Sequence, residues 1–165
     1  MRLSTLLSAA LLGACAGGDG TLEVVYDPCE PIALVASTGA EPDEVTSIDG
    51  AIEMWDRMGL GALSRVEPGQ AGAFDGRTIE VTFETAAPVF YGVYDDESGA
   101  VFVNRRIENQ HARAVTVAHE VGHAFGLAHV SGRDSVMNPK NLVVEPNLED
   151  AGELSALWGD CAARD

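Results

Sequence analysis

Three of the four histidines in this 165-residue chain lie in one short string, His-Glu-Val-Gly-His-Ala-Phe-Gly-Leu-Ala-His, which spans 119–129. His119 and His123 are four residues apart, so on a helix their imidazoles face the same way and can share one metal ion. Glu120 lies beside that face, where a carboxylate can meet a metal-bound water without binding the metal. The spacing indicates a metal site with an acid–base group next to it.

The third histidine can join the other two only if the helix ends first. Six residues beyond His123, a continued helix would carry His129 to its opposite side. Gly126 lies halfway, and glycine tolerates the left-handed turn that ends many helices. Three neutral imidazoles leave a fourth position open for water, which is typical of catalytic zinc. The remaining histidine, His111, is expected at the surface or at a helix start and not as a ligand.

The string matches the signature H-E-x-x-H-x-x-G-x-x-H, so the chain resembles the metzincin zinc metalloproteases. Metzincins carry a methionine turn beneath the zinc, and Met137 lies eight residues after His129, a separation like that of the matrixin branch. Pro139 stands where astacin-like metzincins have a tyrosine, and the stretch 148–159 resembles the final matrixin helix. The resemblance implies an α+β fold, in which a mixed twisted sheet carries an active-site helix and a C-terminal helix.

The same resemblance implies a zinc-dependent endopeptidase that acts on protein or peptide substrates. One zinc ion would be held by His119, His123 and His129, Glu120 would be the general base, and Met137 would shape the floor of the site. One alternative is a catalytically silent metal-binding or peptide-binding protein of the same fold, but a pure metal site would not need Glu120. A metallohydrolase that cleaves another kind of bond is a further alternative.

The N-terminus has the layout of an export signal. Arg2 is followed by roughly ten apolar or small residues, too few to span a bilayer stably. The run ends in Leu-Gly-Ala-Cys, which resembles the lipobox of bacterial lipoproteins, with Cys15 as the lipidated residue. An ordinary secretory signal with an incidental cysteine is the alternative. Three segments are expected: a lipoprotein signal peptide (1–14), a lipidated tether (15–21) and the metallopeptidase domain (22–165).

Two further cysteines, Cys29 and Cys161, would then lie in an oxidising compartment, where an even remainder favours a disulfide. The alternative is that Cys29 is a free thiol or a metal ligand. The expected location is the bacterial cell envelope, with a lipid anchor that places the protein on the outer membrane of a Gram-negative cell. The length suits a single domain and a monomer.

The composition excludes one class of function. With 26 acidic and 10 basic residues the formal charge is −16, whereas nucleic-acid binding needs clustered Lys and Arg. The acidic run at 95–97 has the residue types that bind calcium, but hairpin turns attract acids in any case, so a calcium site has no support.

Hydrophobic periodicity predicts the elements that must position the site. Helices are predicted near 46–63, 110–125 and 148–158, and Asn147 is expected to cap the last of these. Strands are predicted at 22–26, 32–35 and 78–83, followed by a hairpin with arms 89–94 and 100–104. The hairpin offers an edge to which an extended peptide can add through backbone hydrogen bonds.

Overall fold

The computed structural model describes residues 24–164. Five strands occur in the order β1 (Ile32–Ala36), β2 (Leu63–Val66), β3 (Arg77–Glu84), β4 (Gly92–Asp95) and β5 (Ala100–Asn104). The helices are α1 (Pro42–Asp56), α2 (Gln110–Ala124) and α3 (Leu148–Trp158), with short 3-10 turns at Pro68–Ala73 and Cys161–Ala163. The predicted signal peptide and Cys15 lie outside the described residues. Within 24–164 no helix combines the length and apolarity needed to cross a membrane.

The strands form one mixed sheet in the order β2-β1-β3-β5-β4. All neighbouring pairs are parallel except β4 and β5, which form the predicted antiparallel hairpin. β1 is buried at every position, as expected of a parallel strand covered on both faces. β4 is an edge strand and lies against α2. The predicted fold class, a mixed sheet with an active-site helix and a C-terminal helix, is confirmed.

Helices α1 and α2 pack closely against each other, with Trp55 of α1 fully buried between them. The indole Nε1 of Trp55 donates to the carbonyl of Ala118 at 3.0 Å, and its ring meets Phe125 edge-on at 5.8 Å between centroids. At Gly50 a Cβ atom would lie 3.2 Å from Cβ of Ala114, so only a small residue permits this approach. These contacts fix the position of α2, from which the candidate site is built.

The structure differs from the prediction at the first strand and the first helix, and it contains a strand, β2, that was not predicted. Residues 24–26 are not a strand, because the N–H of Tyr26 donates to Ala124 at the end of α2 and not to the sheet. α1 begins earlier than predicted, at Pro42, and ends at Asp56, since Gly59 has a φ of +90°. The following residues, from Leu63, form β2, whose four residues are too few for a period to be recognised.

Both ends of the described chain meet at the C-terminal end of α2. The structure joins Cys29 to Cys161 in a disulfide that links positions 132 residues apart, so Cys29 is neither a free thiol nor a metal ligand. The indole Nε1 of Trp158 donates to the carbonyl of Phe125 at 2.8 Å. Carbonyls in the last turn of a helix have no partner within the helix, and here the two chain ends supply donors for them.

Candidate metal centre

The side chains of His119, His123 and His129 converge on one point. Nε2 of His129 lies 3.2 Å from Nε2 of His119 and 3.2 Å from Nε2 of His123. Two nitrogens bound to one tetrahedral zinc are roughly 3.4 Å apart, given bonds of about 2.1 Å. Among residues 24–164, these three form the one group of His, Cys, Asp or Glu side chains close enough together to hold an ion. The cluster has the size of a zinc site.

Backbone carbonyls set the tautomers of the two helical histidines. Nδ1 of His119 lies 2.6 Å from the oxygen of Val136, and Nδ1 of His123 lies 2.8 Å from the oxygen of Leu127. A carbonyl only accepts hydrogen bonds, so each Nδ1 carries the proton and donates it. The Nε2 atoms are left with lone pairs directed at the common point. This donor set fits zinc, whose histidine ligands normally donate their other N–H to such a partner.

The surroundings keep the imidazoles neutral. Burial, with a contribution from the neighbouring imidazoles, lowers the pKa of His119 and of His123 to about 4, although the hydrogen bonds to the carbonyls oppose the shift. Burial also lowers the pKa of His129, which is the most exposed of the three. The unprotonated form, which binds metal, therefore prevails at neutral pH.

The turn that brings His129 back lies at Gly126, with a φ of +93°. The N–H of Gly126 donates to His123 at 2.9 Å, and the N–H of Leu127 donates to Gly122 at 3.0 Å. This pair of bonds is a Schellman motif, in which a residue other than glycine would be strained. The motif ends α2 and positions the Leu127 carbonyl, which accepts the hydrogen bond from Nδ1 of His123.

Glu120 lies buried between α2 and the edge strand β4, with 5% of its surface exposed. A Cβ atom at Gly92 of β4 would lie 2.8 Å from its Oε1 and 2.9 Å from Cγ2 of Thr116. Only glycine therefore leaves room for this carboxylate. Burial raises the pKa of Glu120 to about 8, and a backbone hydrogen bond at Tyr94 opposes that shift. A cation on the adjacent imidazoles would favour the ionised form.

Met137 lies beneath the cluster and is fully buried. A Cβ atom at Gly122 would be 2.5 Å from its sulfur, so Gly122 provides the space in α2 that the thioether fills. The carbonyl of Met137 accepts the N–H of Val130 at 3.0 Å. The residue after His129 is thus tied directly to the methionine turn.

Asp150 of α3 also supports the site, a role that the sequence did not indicate. The carboxylate is fully buried and accepts from the hydroxyl of Ser135 at 2.6 Å and from the N–H of Val136 at 3.1 Å. Nη1 of Arg133 at 2.9 Å and the N–H of Asn147 at 3.1 Å also donate to it. A weak signal is present in the sequence, because Asp150 shares a helical face with the apolar Leu154.

Asn138 links the methionine turn to the loop after His129. Its Oδ1 accepts the N–H of Ser135 at 3.1 Å, and its Nδ2 donates to the carbonyls of Val130 and Arg133, each at 3.0 Å. No periodic pattern marks such a residue, because its partners lie in irregular backbone.

The other residues considered for a site lie elsewhere. His111 is exposed near the start of α2, with Nε2 3.8 Å from Oε1 of Glu145, and takes no part in the cluster. The acidic run 95–97 forms the β4–β5 turn, where the Asp95 carboxylate accepts from the N–H of Glu97 and the hydroxyl of Ser98. These bonds are those of an ordinary hairpin turn.

Fold and site together define a metzincin-like zinc metallopeptidase. A family model described as Matrixin matches residues 65–151, more than half of the sequence. The chain belongs to the matrixin family.

A crystal structure of archaemetzincin from Methanopyrus kandleri is similar to this chain, with a TM-score of 0.54 and 21% sequence identity. The match covers 81% of this chain and 98% of the archaemetzincin chain. At that identity the likeness shows a shared fold. No curated protein matches the sequence.

Proposed function

We propose that the protein is a zinc-dependent endopeptidase in which Glu120 is the general base. The observation that carries the proposal is the convergence of three Nε2 atoms, two of them on the face of α2 beside a buried carboxylate. A site that only stored metal would gain nothing from burying Glu120 in that place. The carboxylate costs desolvation free energy, which is a reason to assign it a part in the chemistry.

His119, His123 and His129 would hold the zinc, which would supply Lewis acidity at the site. Glu120 would take a proton from the attacking water and deliver it to the leaving amine, so one carboxyl would serve as base and acid in turn. Burial suits this role, because a poorly solvated carboxylate is a stronger base than an exposed one. The carbonyls of Val136 and Leu127 hold two of the imidazoles in the orientation that the ion requires.

The free edge of β4 is the proposed binding place for the substrate backbone. β4 pairs with β5 on one side, and its other side has no strand partner among residues 24–164. Gly92 of that strand lies directly against Glu120. An extended peptide that added to this edge would lie alongside the proposed general base.

The decisive experiment uses the chain from Ala16 onward, purified with its disulfide intact. We expect about one zinc per chain and cleavage of an unstructured protein within its sequence. Glu120→Ala should abolish cleavage and keep the zinc. Zinc binding without cleavage in the unsubstituted chain would favour the silent binding protein, and cleavage that survives Glu120→Ala would refute the mechanism.

We also propose that the protein is exported and anchored by lipid at Cys15. The lipobox-like ending of the signal supports this, and a Cys29–Cys161 disulfide is suited to an oxidising compartment. A radiolabelled fatty acid should be incorporated into the full chain in a bacterial host. Label that persists in Cys15→Ser would refute the anchor and leave the peptidase proposal unaffected.

A further inference from the structure

Asn141 uses both polar atoms of its side chain to close the loop after the methionine turn. Its Nδ2 donates to the carbonyl oxygens of Val136 at 3.1 Å and Val144 at 2.6 Å. Its Oδ1 accepts the N–H groups of Val143 at 3.0 Å and Val144 at 2.8 Å. The side chain thus binds backbone before it in the chain, at Val136, and after it, at Val143 and Val144. Val136 is part of the metal centre, because its carbonyl contacts His119.

The carbonyl oxygen of Val136 accepts hydrogen bonds from both Nδ2 of Asn141 and Nδ1 of His119. A carbonyl oxygen has two lone pairs and can accept both donors at once. The N–H of Val136 is held separately by Asp150. Asn141 is therefore the group that fixes the oxygen end of this residue independently of the histidine.

We propose that Asn141 is a positioning residue of the metal centre. It holds the Val136 carbonyl in the direction that selects the Nδ1–H tautomer of His119 and aims Nε2 at the ion. The inference rests on the proposed function in taking zinc as that ion. It concerns the zinc-free protein as well, since the hydrogen bonds to Val136 involve atoms of the chain alone.

The most informative variant is Asn141→Asp, which has nearly the same shape. One carboxylate oxygen can still accept the N–H groups of Val143 and Val144. The other carboxylate oxygen replaces the amide donor Nδ2. Its negative charge faces the carbonyl oxygens of Val136 and Val144 and repels them. The loop keeps one set of bonds, and the Val136 carbonyl loses its second anchor.

Asn109→Ala is the matched control. Asn109 caps the N-terminus of α2, the helix that carries His119, and its Oδ1 accepts the N–H of Ala112 at 2.9 Å. Its loss destabilises the same helix. This one side-chain hydrogen bond goes to Ala112, which is not one of the three histidines of the metal centre. The control therefore shows what a general loss of stability does to zinc affinity.

The test measures zinc affinity by competition with a chromogenic chelator and the histidine tautomers by ¹⁵N NMR of the zinc-free protein. We expect Asn141→Asp and Asn141→Ala to weaken zinc binding about tenfold, the lower end for groups that orient a ligand. We also expect the Nδ1–H signal of His119 to be diminished in both. Asn109→Ala should lower the unfolding midpoint while zinc affinity stays within about twofold of the parent.

Zinc affinity within twofold of the parent in both Asn141 variants, with an unchanged His119 signal, would overturn the proposal. Failure of both variants to fold would overturn it as well, since Asn141 would then be required by the whole fold. A parent chain that binds zinc but cleaves no protein would contradict the proposed function and leave these measurements valid.

Discussion

Helix α2 and the segment that follows it, 125–147, both contribute to the metal centre, but they are held in place by different means. α2 is positioned by backbone bonds within the helix and by apolar packing, with Trp55 and Met137 filling the space around it. The segment 125–147 contains no helix or strand. Its backbone is held by polar side chains, above all those of Asn138, Asn141 and Asp150.

The difference shows where precision comes from in a small metal site. A helix places the backbones of His119 and His123 by its own geometry, so that both side chains leave the same face of α2. His129 and the Val136 carbonyl lie on irregular backbone, and each needs specific hydrogen-bond partners. We therefore expect substitutions in the helix to act through chemistry or volume, and substitutions in the loop to act through lost hydrogen bonds.

The largest effect is expected for Glu120→Gln, which changes the helix chemically and leaves its packing alone. Loss of the general base should lower kcat by about 10²- to 10⁴-fold. Zinc content should stay close to that of the parent, because the amide has the same shape, and the unfolding midpoint should not fall, because the amide carries no buried charge. The control is Glu80→Gln on the exposed side of β3, which should retain full activity.

Removal of zinc should separate the two regions. A metal present at 1,000 times its Kd stabilises the folded state by about 4 kcal/mol, and a chelator removes that contribution. Amide hydrogen exchange should then accelerate most in 128–138, since His129 loses its tie to the helix. Equal acceleration throughout α2 would show that the ion also stabilises the helix, which would then not be held by its backbone bonds and apolar packing alone.

Asp150→Ala is expected to lower the free energy of unfolding by about 3 kcal/mol, because it leaves the N–H of Val136 and the Ser135 hydroxyl without their buried acceptor. Denaturant titration measures this. The matched control is Glu149→Ala, which removes an exposed carboxylate 3.2 Å from the same Arg133 and should cost less than about 1 kcal/mol. Similar losses in the two variants would mean that pairing with Arg133, and not the buried bonds, accounts for the effect.

Gly122→Ala tests the helix by volume. The added methyl would meet the Met137 sulfur, so we expect a loss of about 2 kcal/mol by denaturant titration, within the usual range for overpacking. Gly152→Ala on α3 is the opposite case. A Cβ atom there would meet nothing within 4 Å, so the alanine should stabilise that helix by up to about 1 kcal/mol. A stabilised Gly122→Ala would show that Met137 moves aside at little cost.

The sequence predicts those parts of the site that depend on short-range spacing. His119, Glu120 and His123 follow from the period of a helix, and Gly126 from the need to turn back before His129. Asp150 and Asn141 could not be found in this way, because their bonds join segments with no common period; the bond from Val136 to Asp150 spans 14 residues. The role of Gly92 could not be predicted for a related reason. A glycine is required there by the carboxylate of Glu120, which lies on α2.

The secondary-structure elements also differ in how well their sequence patterns predict them. β3, β5 and α2 were predicted nearly to their ends, whereas β4 begins at Gly92, later than the predicted hairpin arm. β2 was missed because four residues between a glycine turn and a 3-10 turn carry too little pattern. Residues 24–26 have the composition of a strand, but their partners are the end of α2 and the side chain of Tyr94.

The Cys29–Cys161 bond makes residues 29–161 a covalent ring. His119, Glu120, His123, His129 and Met137 all belong to this ring. A single backbone cut anywhere between the two cysteines opens the ring without dividing the molecule in two. A protease of this design can therefore be nicked once in an exposed loop, by another copy or by another enzyme, and keep both fragments of its active site attached to each other.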